Sequence, residues 1–411
     1  MLRKIIIKDI RRKIFCAALI MQPLLRLYGL PIGGTFADYA IILVAISIIL
    51  KRNQGILKLN RKTEALELVP IMICVTINIL FTWNRSFSIS NQAEYWIRYV
   101  LYYFVLVYGI KEYYSTEYGY NIYKIMAVLS TVFLIIQSIA SSLLGLYIPG
   151  QFGPFVLTDT ISQYENYELY SSYNLFRPDS FFSEPSHYAT FVSGFVLLCS
   201  LQDINKKNIL LMLFCSLGIL ISGSTTGLAI TVFIWFVWII RILKQKNKIK
   251  YLIPILLLSI IGLSIVVRTN SFQIMLMRTF KTQNALNSRF DWLETFDVLN
   301  TPMQWMFGIG NSSEVIKLTG WIPGWTIVLV SYGILGLLSF LISYLLMFIY
   351  SDENGKIILL YIMIMGFGTE LVADMYVLVL LPFVMNKISV KQEHHKKNII
   401  RFRIMGQRYT M

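Results

Sequence analysis

Charge is scarce in this chain. Only 14% of its 411 residues are Asp, Glu, Lys or Arg, while 56% are hydrophobic. A soluble domain carries about 25% charged residues, so a soluble globular fold is excluded. Long apolar runs instead identify an all-α, polytopic membrane protein. Alternating segments of about ten residues are missing, which excludes a β-barrel. Cysteine is sparse: Cys16, Cys74, Cys199 and Cys215 all lie inside apolar runs and none forms a C-x-x-C pair. They read as packing residues without a disulfide or metal role. Histidine is rarer still, with three in all, two of them adjacent at 394 and 395. No metal-ligand spacing arises, and no glycine fingerprint for a nucleotide is present, so no cofactor is expected. No small-residue cleavage site follows the first apolar run. The start "MLRKIIIKDIRRK" is therefore read as a retained cytoplasmic tail. No internal repeat and no separate soluble domain stand out, which leaves residues 1–411 as a single membrane domain.

What is present is positive charge in particular places. The net charge of +15 would suggest nucleic acid in a soluble protein. Here the basic residues cluster between apolar runs and at both ends, so they set orientation and no nucleic-acid partner is expected. Apolar segments fall near 13–30, 37–51, 66–83, 95–110, 122–146, 186–202, 207–222, 224–242, 251–267, 324–350, 356–372 and 374–388, about twelve transmembrane helices. With twelve crossings, "KRNQGILKLNRK", "DINKK", "RILKQKNKIK" and the basic tail at 389–411 all face the cytoplasm, as do both termini. The long apolar stretch from Asn208 is read as a hairpin broken at Ser222–Thr226, because one helix would put two lysine-rich flanks on opposite sides. Two large loops, 147–185 and 268–323, then lie outside. Loops of that length are functional or disordered, and their many aromatics favour order.

The ionisable residues that intrude on the apolar segments gather at the outer ends on this topology. They are Arg26, Asp38, Arg98, Arg177, Glu184, Glu370 and Asp374. Charges in membrane segments are costly and tend to line cavities or pathways. Arg98 and Glu370 are candidate cavity charges. The plainer alternative is that Arg26 and Arg98 snorkel and Asp38 caps a helix.

One stretch, "FRPDSFFSEPSHYATF" from Phe176 to Phe191, concentrates chemistry that the rest of the chain lacks. Pro185 is expected to open the sixth span, capped by Glu184 or Ser183. A helix N-terminus beside Arg177 is a ready anion site. The second loop carries "MRTFKTQNALNSRFDWLETF" with Arg278, Lys281, Arg289, Asp291 and Glu294. Trp292 and Phe296 share a face if this is a helix in the membrane interface. "FGIGN" is expected to supply flexible backbone before the next span. Two outer loops that each carry arginine, aromatics and acids suggest one anionic ligand gripped from both sides, with a lipid pyrophosphate the natural candidate. The acceptor base has four outer candidates: Glu184, His187, Asp291 and Glu370. His187, a turn into its helix, is expected to stay neutral beside the positive helix end.

"RPDSFFSEPSHYA", the many spans and "SRFDWLETF…MFGIGN" resemble the Wzy family of O-antigen and capsule repeat-unit polymerases, relatives of the O-antigen ligases. The matching motifs cover about a tenth of the chain. The resemblance implies a C-type glycosyltransferase in the bacterial plasma (inner) membrane. Its substrates would be undecaprenyl-pyrophosphate-linked oligosaccharide and polysaccharide, with a chain-length regulator as a possible partner protein. The growing glycan would pass to a new lipid-linked repeat unit at the outer face, with Arg177, Arg278 and Arg289 on the pyrophosphate and Glu184, His187 and Asp291 in catalytic roles. Arginine neutralises a leaving pyrophosphate in place of a metal. The ligases typically carry a histidine in their second large outer loop, and 268–323 holds none. A transporter or flippase of lipid-linked sugars is the alternative from another class.

Overall fold

Polar residues flanking the apolar runs decide where the helices begin. Ser115, Asn205, Ser224 and Asp352 each occupy an N-cap, and each side chain accepts a backbone N–H three residues on, satisfying a donor that the first turn leaves orphaned. The computed structural model describes residues 2–30, 34–52, 70–74, 76–77, 80, 97–98, 100–151, 153–157, 176–245, 260, 264, 267–268, 272, 296–310, 322–369 and 375–385. Its helices are α1 (Leu2–Ile20), α2 (Gln22–Leu25), α3 (Phe36–Arg52), α4 (Ile110–Tyr113, continuing a π-helical turn at Val105–Gly109), α5 (Thr116–Leu144), α6 (Pro185–Leu201), α7 (Lys206–Ile221), α8 (Thr225–Leu243), α9 (Pro302–Phe307), α10 (Gly324–Tyr350), α11 (Glu353–Gly368) and α12 (Met375–Met385). Among the described residues there is no strand, only isolated bridges pairing Tyr28 with Val156 and Gly29 with Thr35. Among the described residues three helices, α5, α8 and α10, are long and apolar enough to cross a membrane.

The hairpin expected at Ser222–Thr226 is present. α7 ends at Ile221, Gly223 turns with a φ of 66°, and Ser224 caps α8. The basic start is helical: α1 begins at Leu2 and runs unbroken through it into the first apolar segment. Most of the segment expected at 251–267 and part of that at 66–83 lie outside the described residues.

α6 is the central helix. From Tyr188 to Leu201 every residue is buried, and α5, α7, α8, α11 and α12 pack around it. Polar side chains inside this core bond to one another or to backbone. The Tyr188 hydroxyl pairs with Thr131 at 2.9 Å in space that Gly218 leaves open. The Tyr123 hydroxyl donates to the Phe191 carbonyl at 2.5 Å. Such bonds matter in an apolar interior, where a lost partner costs about 1–3 kcal/mol.

α5 lies at the edge of this cluster and has two faces. Tyr123, Ala127, Ser130, Thr131, Leu134, Gln137 and Ala140 are buried. Ile125, Leu129, Val132, Ile136, Ile139 and Leu143 are exposed. Their spacing of three and four residues draws one stripe along the helix. An exposed stripe that is wholly apolar fits lipid rather than water.

Candidate functional site

The segment 176–184 is fastened to the buried face of α5. Gln137 accepts the Ser180 N–H at 2.8 Å and donates to the Ile148 carbonyl at 3.0 Å. The Ser180 hydroxyl donates to the Ser130 carbonyl at 2.7 Å, and Phe181 stacks on Phe133 with ring centroids 4.4 Å apart. Ser180 has a φ of 59°, a left-handed conformation that a non-glycine residue adopts at a cost. The bonds to Gln137 and Ser130 hold it there.

These contacts fix a level along α5. Gln137 lies seven residues before Leu144, the end of α5, or about 10 Å along the axis. Beyond that level Ile139, Leu143 and Leu144 are still exposed and apolar. The ionisable cluster was expected at the outer ends of the apolar segments. Glu184 sits at the N-cap of its segment, α6, and the loop that carries the cluster meets α5 at Ser130 and Gln137, short of the helix end. Irregular backbone at such a level survives where protein buries it or a cavity is lined by it, and Phe176, Asp179, Ser180, Phe182 and Ser183 are all buried.

Several helix ends meet at this level. An Arg177 guanidinium nitrogen (Nη2) donates to the Gly223 carbonyl at 3.1 Å, tying the loop to the turn between α7 and α8. Thr226, in the first turn of α8, donates to the Gly368 carbonyl at 2.9 Å. The Gly324 N–H, at the start of α10, donates to the Thr369 carbonyl at 2.8 Å. The N-termini of α6, α8 and α10 are thereby linked through the Arg177 loop and the end of α11. Each carries the partial positive charge of a helix N-terminus, so their grouping around an arginine favours an anion.

Pro185 opens α6 and Glu184 occupies the N-cap as expected, yet the Glu184 side chain makes no capping bond. It accepts the Ser186 hydroxyl at 2.9 Å instead. Ser183 pairs with Nδ1 of His187 at 2.6 Å. Glu184 and His187 are both half-buried and one turn apart. Asp179 is 3% exposed, and burial pushes its carboxyl up to about 7, with a further push from Glu184. The Gln137 amide, 3.4 Å away, and Arg177 pull the other way.

Arg98 is held elsewhere. Its guanidinium makes two bonds to the Asp38 carboxylate, at 2.7 and 2.8 Å, and Thr35 donates to the same carboxylate from its hydroxyl and backbone N–H. That arrangement ties α3 to the segment leading into the π-helical turn. Asp291, Arg278, Arg289, Glu370 and Asp374 lie outside the described residues. Asp179, Ser183 and Gln137 are site residues that sequence reasoning passed over as binders or catalysts. Ser183 entered it only as a possible cap, and Gln137 looked like an isolated polar residue in an apolar run. Gln151 is also buried, 5% exposed, and among the described residues neither end of its amide has a hydrogen-bond partner.

Close packing replaces the flexibility expected of "FGIGN". α10 is broken at Gly333, whose φ is 68°. The break releases carbonyls of the preceding turn, and the N–H groups of Ile309 and Gly310 bond to Val330 and Ser331 at 2.9 and 3.1 Å. A Cβ at Gly308 would lie 2.3 Å from the Ser331 carbonyl, and one at Gly333 2.3 Å from the Met306 carbonyl. The glycines permit two backbones to touch. α9 beside them is closed by a capping box between Thr301 and Gln304, and Trp305 packs on Phe296.

Among the described residues no group of three His, Cys, Asp or Glu side chains is placed to hold a metal ion. No protein-family model and no curated protein sequence matches this chain.

Proposed function

We propose that this chain is a polymerase of undecaprenyl-pyrophosphate-linked oligosaccharide repeat units, a glycosyltransferase of O-antigen or capsule synthesis working at the outer face of the bacterial plasma membrane. The observation that carries the reading is the grouping of Arg177 with three helix N-termini beside Glu184 and His187. An anionic leaving group is stabilised by preorganised donors of this kind. On this reading Arg177 holds the pyrophosphate, joined by Arg278 and Arg289 of the second loop. Glu184, His187 or Asp291 takes the acceptor proton. Twelve crossings, two large outer loops and cytoplasmic termini complete the proposal.

A transporter or flippase of lipid-linked sugars is the second reading. It is favoured by the backbone break in α10 and by a loop that reaches the middle of α5, since transporters build sites at unwound helices. One experiment separates the two. Purified protein in detergent, where no second compartment exists, receives a lipid-linked repeat unit. A polymerase makes a ladder of longer lipid-linked products, and a transporter makes none.

In the same assay Arg177→Ala is expected to lose most of the ladder, and Arg177→Lys to restore it only in part, because lysine lacks the planar fork. Glu184→Gln or His187→Ala, whichever removes the base, lowers turnover about a hundredfold or more while substrate still binds. A full ladder from Arg177→Ala discards the electrostatic clamp.

A further inference from the structure

Ser183 was expected at most to cap α6, and its hydroxyl is engaged otherwise. It lies one residue before the N-cap, and its Oγ is 2.6 Å from Nδ1 of His187 in the first turn. A neutral imidazole has one N–H and one lone pair; a hydroxyl at Nδ1 can accept the N–H or donate to the lone pair, and only the first leaves the lone pair on Nε2. Ser183 itself is buried. It belongs to the loop that Gln137 and Ser130 hold against α5 through Ser180. Its position is therefore set by the protein core and not by His187. The neighbouring carboxylate, Glu184, accepts the Ser186 hydroxyl, and the anchored Ser183 hydroxyl is the partner seen at Nδ1.

We infer that Ser183 is the positioning residue of the transfer reaction: its Oγ accepts the Nδ1–H of His187, and Nε2 thereby carries the lone pair. The inference rests on the polymerase reading above and adds the tautomer and the residue that fixes it. In the step, the acceptor hydroxyl oxygen forms a bond to the anomeric carbon. The bond from that carbon to the pyrophosphate oxygen breaks, and its electron pair leaves on the pyrophosphate. The acceptor proton passes to Nε2. A hydroxyl anchored at Nδ1 then serves twice, orienting the ring before transfer and accepting a hydrogen bond from the imidazolium formed by it.

The chain has only three histidines, which makes a direct test practical. Full-length protein with ¹⁵N-labelled histidine, carrying His394→Gln and His395→Gln, gives a spectrum of His187 alone. Nitrogen shifts of the Nδ1–H tautomer are expected in the wild-type background and in Ser183→Thr, which keeps the hydroxyl. Ser183→Ala should show a mixture of tautomers. In the ladder assay with a lipid-linked repeat unit, Ser183→Ala should lose about tenfold or more in turnover at unchanged substrate binding, and Ser183→Thr should recover most of it. An Nε2–H tautomer in the parent protein overturns the inference, as does a Ser183→Ala spectrum identical to the parent's. So does a Ser183→Ala variant that polymerises at the parent rate. A parent protein with the expected tautomer but no ladder defeats the polymerase reading instead, and the Ser183–His187 assignment stands.

Discussion

Asp179 carries no interaction strong enough to offset its loss of water. Its carboxyl is pushed up to about 7 chiefly by burial, against roughly 3.9 in an unfolded chain. The folded protein therefore holds this proton more tightly than the unfolded one does. The stability that follows is complete below about pH 4 and is lost as pH rises through about 7, on the order of 4 kcal/mol in all. Melting of the wild-type protein in detergent should thus occur at lower temperature at pH 8 than at pH 5. Asp179→Asn, neutral throughout, should flatten that dependence and melt above the wild type at pH 8. An unchanged slope in the variant would place the titration elsewhere. The segment that loosens when Asp179 ionises is the one bearing Arg177, Ser183 and Glu184, so thermal stability and site geometry are coupled through a single proton.

At the scale of elements, the break in α10 depends on a distant piece of chain. Gly333 adopts its φ of 68° while Ile309 and Gly310 occupy the carbonyls of Val330 and Ser331. Gly333→Ala forces a side chain into a left-handed conformation and into the Met306 carbonyl, and Gly308→Ala meets the same interface from the other side. Each should destabilise by about 2 kcal/mol or more. The double variant should cost less than the sum, because either change alone parts the two backbones. Hydrogen exchange at Ile309 and Gly310 should accelerate in both single variants, and additive costs would mean that the two glycines act separately. This feature also marks the limit of what the residues reveal when read in order. The turn at Ser222–Ser224 was legible because lysines on both flanks forbid a single crossing. The start of α6 was legible because proline has a preferred place in a helix. The stretch 324–350 reads as one unbroken apolar helix, and nothing local signals a break whose stabilising partners lie more than twenty residues upstream. The level of the 176–184 loop along α5 was hidden for the same reason. Gln137 and Ser130 become informative only once Ser180 is seen between them.

For the whole molecule, the proposed sidedness has a direct test. In a background lacking the four native cysteines, a cysteine at Asn166 or Asn284 should react with a membrane-impermeant thiol reagent added to sealed cells. A cysteine at Lys207, exposed at the start of α7, should react only after the membrane is opened. Labelling of Lys207→Cys in sealed cells would invert the arrangement of α6, α7 and α8 and remove the outer-face reading.

The level at which Ser180 joins α5 bears on competition from ordinary membrane lipid. Every phospholipid around the protein offers an anionic phosphate that an arginine among helix N-termini would attract. On the proposed topology, two acyl tails of fixed length would hold that phosphate at the leaflet surface, level with the apolar end of α5. Gln137 and the loop it fastens lie about 10 Å deeper. A carrier with one chain much longer than a leaflet is free to curl and let its head group sink by that amount. On the polymerase reading, depth alone would then discriminate against the abundant wrong anion, without any residue having to recognise it.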